Sequence, residues 1–201
     1  MYRQAQRLNA LISDLLDSTR IRTGKLAYDM EPRDLAVVVR EAVAGQVATA
    51  PGRKIALVVP KQPVIVMGDA FRLAQVVDNL VTNALKYSPE EASIKVTLDT
   101  TAVKTDDGGV GRVARLRVSD QGVGIPPEDI PHVFERFFRA SGVDVQAGAG
   151  VGLGLGLHIT HSIIERHNGQ IEARSTPGKG SLFIVTLPLL EAPEGGNSGD
   201  A

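Results

Sequence analysis

Residues 79–87 read Asn-Leu-Val-Thr-Asn-Ala-Leu-Lys-Tyr and end an apolar-periodic segment that begins after Asp69. The period is helical, and the apolar stripe consists of Leu73, Val76, Leu80 and Ala84. Asn79, Asn83 and Lys86 share the helix face beside that stripe, so they point at a half-buried edge. Buried amides need partners, an amide oxygen is a suitable ligand for Mg²⁺, and lysine meets phosphate as a point charge. The alternative is a helix whose amides are exposed.

A second segment, Asp-Gln-Gly-Val-Gly at residues 120–124, follows a predicted strand at 113–120. Asp120 has the parity of the buried strand residues, and an unpaired carboxylate there would be costly. Gly122 and Gly124 remove side chains where a flat ring could approach, so the carboxylate could accept the exocyclic amino hydrogens of adenine while Ile125 covers the ring. Taken alone, the segment is more typical of a turn aspartate beside flexible glycines.

A third segment, Gly-Leu-Gly-Leu-Gly-Leu at residues 152–157, runs into a helix predicted over 157–167. Free N–H groups at a helix N-terminus form an anion site, which suits phosphate. The glycine spacing matches neither the Walker P-loop nor the dinucleotide-binding fingerprint. Leucines that alternate with glycines favour packing over the alternative of a flexible linker. The candidate binding residues here are Gly152, Leu153, Gly154, Leu155, Gly156 and Leu157.

Three of the five phenylalanines fall in Phe-Glu-Arg-Phe-Phe-Arg at residues 134–139. They lie in a stretch, 126–151, that has no clean period and predicts a long mobile loop with one short helical turn. The phenylalanines would anchor the loop, leaving Arg136 and Arg139 to reach a terminal phosphate as it closes. The alternative is a tethered loop with solvated arginines.

The remaining pattern predicts a main domain at 34–190, preceded by an amphipathic helix at 1–24 and a linker at 25–33. The tail, 191–201, lacks residues that could be buried and is expected to be disordered. Other expected elements are a helix capped by Asp34, a hairpin loop at 105–109, a left-handed cap at 168–169, and strands at 55–59, 64–67, 93–99, 170–174 and 181–187.

The first helix has one apolar face, formed by Leu8, Leu11, Ile12, Leu15 and Leu16, and an opposite face with Arg3, Arg7, Asp14 and Asp17. It is expected to pack against partner helices that are not in this chain. Folding back onto its own domain is the alternative. Because the N-terminus leads straight into this helix without a signal-peptide pattern, the sequence suggests a piece of a longer protein.

Composition excludes several classes of function. The 201 residues have a net charge of -1 and no cysteine, so there is no basic field for nucleic acid, no disulfide framework and no thiolate metal site. No apolar run approaches the roughly 20 residues that span a bilayer, so no membrane contact by this fragment is expected. The absence of cysteine predicts a cytoplasmic location, with membrane anchoring of the parent protein left open. His158 and His161 lack a third ligand at helix spacing and are interpreted as ordinary core or surface residues.

Together these segments resemble the catalytic and ATP-binding domain of bacterial sensor histidine kinases, within the superfamily of gyrase, chaperone, kinase and mismatch-repair ATPases (GHKL). The resemblance covers residues 1–190. In the family's terms, 79–87 is similar to the asparagine box, 120–124 to the first glycine box, 134–139 to the phenylalanine box and 152–157 to the second glycine box.

The resemblance implies an α/β (α+β) fold, a two-layer sandwich of a mixed sheet and helices of the Bergerat type. It implies ATP and Mg²⁺ as ligands, with Asn83 on Mg²⁺, Asn79 and Lys86 on the phosphates, Tyr87 beside the nucleotide and Asp120 on adenine. Adding the candidates found above, the expected nucleotide-binding residues also include Gly122, Gly124, Ile125, Arg139 and residues 152–157.

The activity implied is transfer of the ATP γ-phosphoryl group to a histidine, with Asn79, Lys86 and Arg139 as the expected catalytic residues. The first helix is similar to the second helix of the family's dimerisation and phosphotransfer domain, whose first helix carries the acceptor histidine. No histidine here is followed by an acidic residue with a proline nearby, so this chain is not expected to phosphorylate itself. Expected partners are the phosphotransfer domain, a second kinase protomer and a response regulator. Two alternatives remain: a degenerate nucleotide-binding regulatory module, and a related ATPase or serine kinase.

Overall fold

Alternating apolar and polar residues build the main sheet, and helices with one apolar face cover it. The computed structural model describes residues 2–24, 26–104, 110–140 and 153–190. Its elements are α1 (Tyr2–Arg22), β1 (Glu31–Asp34), α2 (Leu35–Thr49), β2 (Lys54–Val58), β3 (Ile65–Gly68), α3 (Ala70–Tyr87), β4 (Ser93–Lys104), β5 (Val110–Ser119), a short 3-10 helix (Ile130–His132), α4 (Gly156–Arg166), β6 (Gln170–Thr176) and β7 (Gly180–Pro188).

The main sheet has five strands in the order β2-β4-β5-β7-β6. β2 runs parallel to β4, and the other neighbouring pairs are antiparallel, so the sheet is mixed. Along 94–98 of β4 and 114–118 of β5, its inner face buries every second residue against the helices, as the side-chain period of two requires. Those residues are Ile94, Val96, Leu98, Ala114, Leu116 and Val118. The result is the two-layer α/β sandwich that the sequence predicts.

Two aspartates fix the starts of α2 and α3. Asp34 accepts from the backbone N–H of Ala36, which caps α2, and from that of Val64, which ties this cap to the start of β3. Asp69 caps α3 by accepting from the N–H of Arg72 and also accepts from the N–H of Asp29. Although burial favours the neutral acid, these backbone donors hold the pKa of Asp69 below its usual value.

Most predicted elements are present, with shifted ends. The left-handed cap is confirmed, since Asn168 has a φ of 54°. The last residues of the predicted linker, 25–33, belong to β1, which pairs antiparallel with β3. Pro32 is tolerated there because it lies on an edge strand. The predicted hairpin loop at 105–109, the tail at 191–201 and the loop residues 141–151 lie outside the described residues.

Helix α1 packs on its own domain by its polar face, which the sequence pattern did not predict. Asp17 and Ser18 are 5% and 0% exposed, and Asp17 accepts from Arg72 at 2.7 Å and from Gln75 at 3.0 Å. The Nε atom of Arg136 donates to Ser18 Oγ at 2.7 Å. The apolar side chains that the described part of α1 leaves exposed are Ile12, Leu15 and Leu16. The outward apolar face agrees with the expectation of partner helices. The structure does not describe the side chains of residues 2–10, which include Arg3, Arg7 and Leu8.

His167 ends α4 and connects it to the start of α3. The side chain is 3% exposed. Nδ1 donates to the Ile163 carbonyl at 2.7 Å, and Nε2 accepts from the backbone N–H of Asp69 at 3.0 Å. An accepting Nε2 requires the neutral ring with its proton on Nδ1. Burial lowers the pKa of His167, against the opposing effects of the Ile163 carbonyl and the Asp69 carboxylate.

We expect the free energy of unfolding to decrease as the pH falls from about 7.5 to about 5, because protonation of His167 breaks its bond to Asp69. The folded pKa lies below the unfolded value of about 6.5, so the contribution is complete above that pH and is lost as the pH falls through the folded pKa. The other groups facing the ring are Tyr28, in edge contact, and Arg166, which lies over Tyr28. Asp69 titrates below this range because its own pKa is lowered.

Urea unfolding at several pH values would measure this dependence. His167→Gln keeps a donor and an acceptor but does not titrate, so its stability should vary less with pH than that of the wild type. His132→Gln, which changes an exposed ring, should keep the wild-type slope. Equal slopes for the wild type and His167→Gln would contradict the assignment.

Candidate nucleotide-binding site

The polar face of α3 lines a cavity of about 380 Å³ between α3, α4 and one end of the sheet. Packing of the apolar stripe sets the rotation of α3, so Asn79, Asn83 and Lys86 point into this cavity together. Asn79 Nδ2 donates to the carbonyl of Gly156 at 3.2 Å and to Oγ1 of Thr160 at 3.3 Å. Its amide nitrogen is therefore bound to α4, and its Oδ1 remains for a ligand.

Lys86 and Tyr87, at the end of α3, form a pair joined by a hydrogen bond and a cation–π contact. Lys86 Nζ donates to Tyr87 Oη at 3.0 Å and lies 4.7 Å from the centre of the tyrosine ring. The contact holds the ammonium group within the cavity without neutralising it. A phosphate chain entering the cavity would meet this charge.

Asp120 lies at the inner end of the cavity, where β5 ends. Its Oδ1 accepts from the N–H of Gly122 at 2.8 Å and from that of Ser181 at 3.2 Å. The hydroxyl of Ser88, the residue that directly follows α3, also favours the charged form of this carboxylate. Burial raises the pKa of Asp120 above its usual value, and the two N–H donors and the Ser88 hydroxyl oppose that shift without cancelling it. The site therefore holds a buried acceptor aimed at a ligand.

Close backbone packing explains the two glycines after Asp120. A Cβ on Gly122 would lie 2.3 Å from the carbonyl oxygen of Tyr87, and one on Gly124 would lie 2.2 Å from that of Thr176. Gly124 lines the cavity, whereas Gly122 lies behind it and supports Asp120 through its N–H. The structure gives Gly122 a supporting role, and direct contact of Gly122 with the ring stays a prediction.

The phenylalanine and second glycine segments bind each other. The N–H of Phe137 donates to the carbonyl of Gly154 at 3.0 Å. Both residues have a positive φ, 63° at Phe137 and 71° at Gly154. Arg136 extends toward α1, while Arg139 lines the cavity. Of the two arginines, Arg139 is the one placed to meet a ligand.

Helix α4 points its N-terminus at the cavity. Leu155 occupies the N-cap position and supplies no side-chain hydrogen bond, so the first N–H groups of the helix have no capping side chain. Leu155, Gly156 and Leu157 all line the cavity. Unsatisfied N–H groups and the helix dipole favour an anion at this end.

The cavity thus brings together nearly all the candidate residues. Those that line it are Asn79, Asn83, Lys86, Tyr87, Asp120, Gly124, Ile125, Arg139, Leu153, Gly154, Leu155, Gly156 and Leu157. Gly152 lies outside the described residues.

Several lining residues were missed by sequence reasoning. Thr82 and Asp78 belong to the α3 face already identified and could have been found from helical spacing. Ser181 on β7 and Asp14 on α1 come from distant parts of the chain, with no local signal. Burial and the nearby Asp17 raise the pKa of Asp14. The others are Val133, Phe138, Ala140 and Phe183.

Two features, a metal cluster and a membrane-spanning helix, are absent from the described residues. No three histidine, aspartate or glutamate side chains among them gather into a metal site. None of the helices in that part of the chain combines the length and hydropathy of a membrane-spanning segment.

Comparisons with known proteins agree with this geometry. The profile of the family described as histidine kinase-, DNA gyrase B-, and HSP90-like ATPase matches residues 68–191. Over 188 residues the chain is 37% identical to the sensor histidine kinase TrcS of Mycobacterium tuberculosis, covering 94% of this chain and 35% of TrcS. The structure of the mycobacterial sensor histidine kinase MprB matches with a TM-score of 0.66 and 29% identity, covering 81% of this chain and 100% of that one.

A third match is to the full-length structure of ShkA in complex with AMPPNP. Its TM-score is 0.73, and 94% of this chain and 37% of that one are covered. At 24% identity this likeness shows the fold alone. The chain spans only 21% to 48% of the length of three of the relatives it matches in sequence.

Proposed function

The chain belongs to the histidine kinase-, DNA gyrase B- and HSP90-like ATPase family, as the ATPase domain of a sensor histidine kinase, and we propose that it binds Mg²⁺-ATP for transfer of the γ-phosphoryl group to a histidine. The observation that carries this proposal is the cavity in which Asp120, the polar face of α3 and the N-terminus of α4 converge. The Asp120 carboxylate at one end can accept a hydrogen bond from the purine of ATP. The cationic groups and N–H donors at the other end can bind its phosphates.

Adenine is assigned to the inner end of the cavity. The Asp120 carboxylate accepts from the exocyclic amino group, and Ile125 covers the ring. Tyr87 flanks the nucleotide, and Gly124 lines the same end of the cavity, where its close contact with the Thr176 carbonyl leaves no room for a side chain. The buried carboxylate would repel the 6-oxo group of a guanine or hypoxanthine ring, so the site is expected to select adenine.

The phosphates are assigned to the outer end, against Lys86, Asn79 and the N–H groups that begin α4. Asn83 fits Mg²⁺ because a neutral amide oxygen suits a cation that keeps several waters and binds substrate phosphates. Bound there, Mg²⁺ would neutralise phosphate charge. Asn79 and Lys86 then orient the phosphate chain, and residues 153–157 lie beside it.

The chemistry is largely positioning and electrostatic stabilisation. Arg139 lies at the cavity beside the described end of the loop, where it stabilises charge on the transferred phosphoryl group. Interactions made only in the transition state raise the rate, so Arg139 is expected to increase the rate of phosphoryl transfer more than the affinity for ATP.

The acceptor is a histidine on a phosphotransfer helix outside these 201 residues. We therefore expect no autophosphorylation by this chain alone. A second protomer and a response regulator aspartate, which receives the phosphoryl group next, complete the proposed relay. The setting is the cytoplasm.

The experiment that tests this function has two stages. Calorimetric titration with ATP, with and without Mg²⁺, should show an affinity gain of about tenfold or more from the metal. Asn83→Ala should lose most of that gain, while Gln170→Ala, an exposed amide on β6, should keep it. Absence of ATP binding by folded protein with Mg²⁺ would overturn the proposal.

In the second stage, γ-labelled ATP is incubated with the chain and a separately made helical hairpin that carries the acceptor histidine. Label should appear on the hairpin only when both proteins are present. Binding of ATP without Mg²⁺ dependence or transfer would indicate a nucleotide-binding regulatory module instead.

A further inference from the structure

Ser175 on β6 has a hydroxyl with three hydrogen-bond partners beside the purine end of the cavity. Its Oγ accepts from the backbone N–H of Ile125 at 2.8 Å and donates to the carbonyl of Gly180 at 2.8 Å. It also lies 3.0 Å from the Oγ of Ser181 on β7. Ile125 and Ser181 line the cavity, whereas Ser175 does not. Any effect of Ser175 on a ligand is therefore exerted through those two neighbours.

The hydrogens of these four groups have one arrangement. A serine hydroxyl donates one hydrogen bond and accepts two. The N–H of Ile125 can only donate and the carbonyl of Gly180 can only accept, so the single hydrogen of Ser175 goes to Gly180. The contact between the two hydroxyls then requires Ser181 to donate to Ser175. The Ser181 oxygen is left with lone pairs alone for any further partner.

The Ser181 side chain faces the cavity. Along β7 it has the parity of Phe183, Val185 and Leu187, which are buried on the inner face of the sheet. Phe183 lines the same cavity. The N–H of Ser181 donates to Asp120 Oδ1 at 3.2 Å, so residue 181 adjoins the carboxylate assigned to adenine. The purine end therefore holds two acceptors, a carboxylate and a hydroxyl oxygen.

We propose that Ser175 is a positioning residue for base selection, which takes the hydroxyl hydrogen of Ser181 so that Ser181 accepts from the ligand. The exocyclic amino group of adenine has two hydrogens, so it can donate to Asp120 and to Ser181 together. This inference rests on the proposed function, because it assigns that amino group to Asp120. Ser175 also holds the N–H of Ile125, the residue that covers the ring.

Removal of the Ser175 hydroxyl is expected to weaken recognition of the amino group in particular. In Ser175→Ala the Ser181 hydrogen loses its acceptor and is free to turn toward the ligand, where it meets a donor. The N–H of Ile125 also loses its partner, which affects every purine ring equally. The informative quantity is therefore the ratio of the affinities for ATP and for purine riboside triphosphate, which differs from ATP only in lacking the amino group.

Competition titrations with the two nucleotides, in the presence of Mg²⁺, measure this ratio in the wild type, Ser175→Ala and Ser175→Thr. Loss of about one neutral hydrogen bond should lower the ratio about threefold or more in Ser175→Ala. Ser175→Thr keeps the hydroxyl and suits a strand, so it should restore the wild-type ratio.

Thr186→Val is the matched control. The hydroxyl of Thr186 also links β7 to β6, by donating to the carbonyl of Gln170 at 3.4 Å, but Thr186 does not line the cavity. Valine keeps the branched shape and removes the hydroxyl. This variant should keep the wild-type ratio.

A double-mutant cycle tests whether Ser175 acts through Ser181. Ser181→Ala alone should lower the ratio, because the second acceptor is absent. In that background Ser175→Ala should change the ratio by less than about twofold, while it should still lower both affinities through Ile125. A full effect of Ser175→Ala on the ratio without the Ser181 hydroxyl would contradict the arrangement of hydrogens.

The outcomes separate this inference from the proposed function. If the wild type binds neither nucleotide, the proposed function fails, and this inference with it. If the wild type binds ATP and Ser175→Ala keeps the wild-type ratio, only the role of Ser175 fails. An equal loss of both affinities leaves the ratio unchanged and overturns the inference, since it indicates a structural role alone. If Ser175→Ala does not fold, Ser175→Cys, whose thiol is a weak donor and acceptor of similar size, must show the fall in the ratio for the inference to stand.

Discussion

Asp120→Asn is expected to lower ATP affinity by about 100-fold or more, from the loss of a charged hydrogen bond and the gain of an unpaired donor. The amide can keep the two N–H bonds from Gly122 and Ser181 through its oxygen. Its NH₂ group then faces the exocyclic amino group of adenine, and two donors meet. The fold should be retained, because the backbone contacts around residue 120 are unchanged.

The same substitution should change the choice of base. Inosine triphosphate carries a 6-oxo acceptor, which the wild-type carboxylate repels and the amide of Asp120→Asn can bind. We therefore expect the ratio of ATP to inosine triphosphate affinity to fall by more than the ATP affinity itself. Competition titrations with both nucleotides measure the ratio.

Asp99→Asn is the matched control, since Asp99 lies on the neighbouring strand β4 and pairs with Arg115 and Arg117 on the outer face of the sheet. It should leave both affinities unchanged. Wild-type ATP affinity in Asp120→Asn would show that adenine does not bind at this end of the cavity.

Local periodicity predicted the elements but not all of their ends. The alternation at 93–99 identified the first half of β4, whereas the strand continues to Lys104. Its second half, Thr100 to Lys104, is held by pairing with residues 110–114 of β5. Such pairing depends on the partner strand, so no pattern within the segment itself reveals it.

The candidate site divides in the same way. Asn79, Asn83 and Lys86 could be grouped from sequence because helical geometry alone places them on one face. The N–H of Ser181 meets Asp120 only through tertiary packing. Sequence thus identified most of the residues that line the cavity, but not the Ser181 N–H that holds Asp120 in place.

The first helix shows a different limit. Its apolar periodicity correctly predicted one amphipathic helix, and hydrophobicity alone would turn that face toward a core. The structure instead turns Asp17 inward, because Arg72 and Gln75 on α3 provide matched partners for its carboxylate. A buried charge is acceptable only with such partners, and they lie 55 and 58 residues away along the chain.

Gly124→Ala is expected to destabilise the fold by about 3 kcal/mol or more and to weaken ATP binding, whereas Gly178→Ala should cost only about 1 kcal/mol. The two glycines are well matched, with φ of 73° and 75°, so a Cβ imposes the same left-handed strain on both. They also lie on opposite sides of one contact, since the N–H of Gly178 donates to the carbonyl of Val123 at 2.7 Å. The two glycines differ in the space available for a Cβ.

A Cβ on Gly124 would lie 2.2 Å from the Thr176 carbonyl oxygen, whereas one on Gly178 has no heavy atom within 4 Å. Both sides of the Gly124 contact are backbone, so relief requires the segment with Ile125 to move away from β6, which opens the purine end of the cavity. Urea unfolding and ATP titration on both variants measure the two effects. Equal destabilisation would mean that strain in φ, rather than the contact with Thr176, decides the cost. Wild-type ATP affinity in a destabilised Gly124→Ala protein would separate this turn from the nucleotide site.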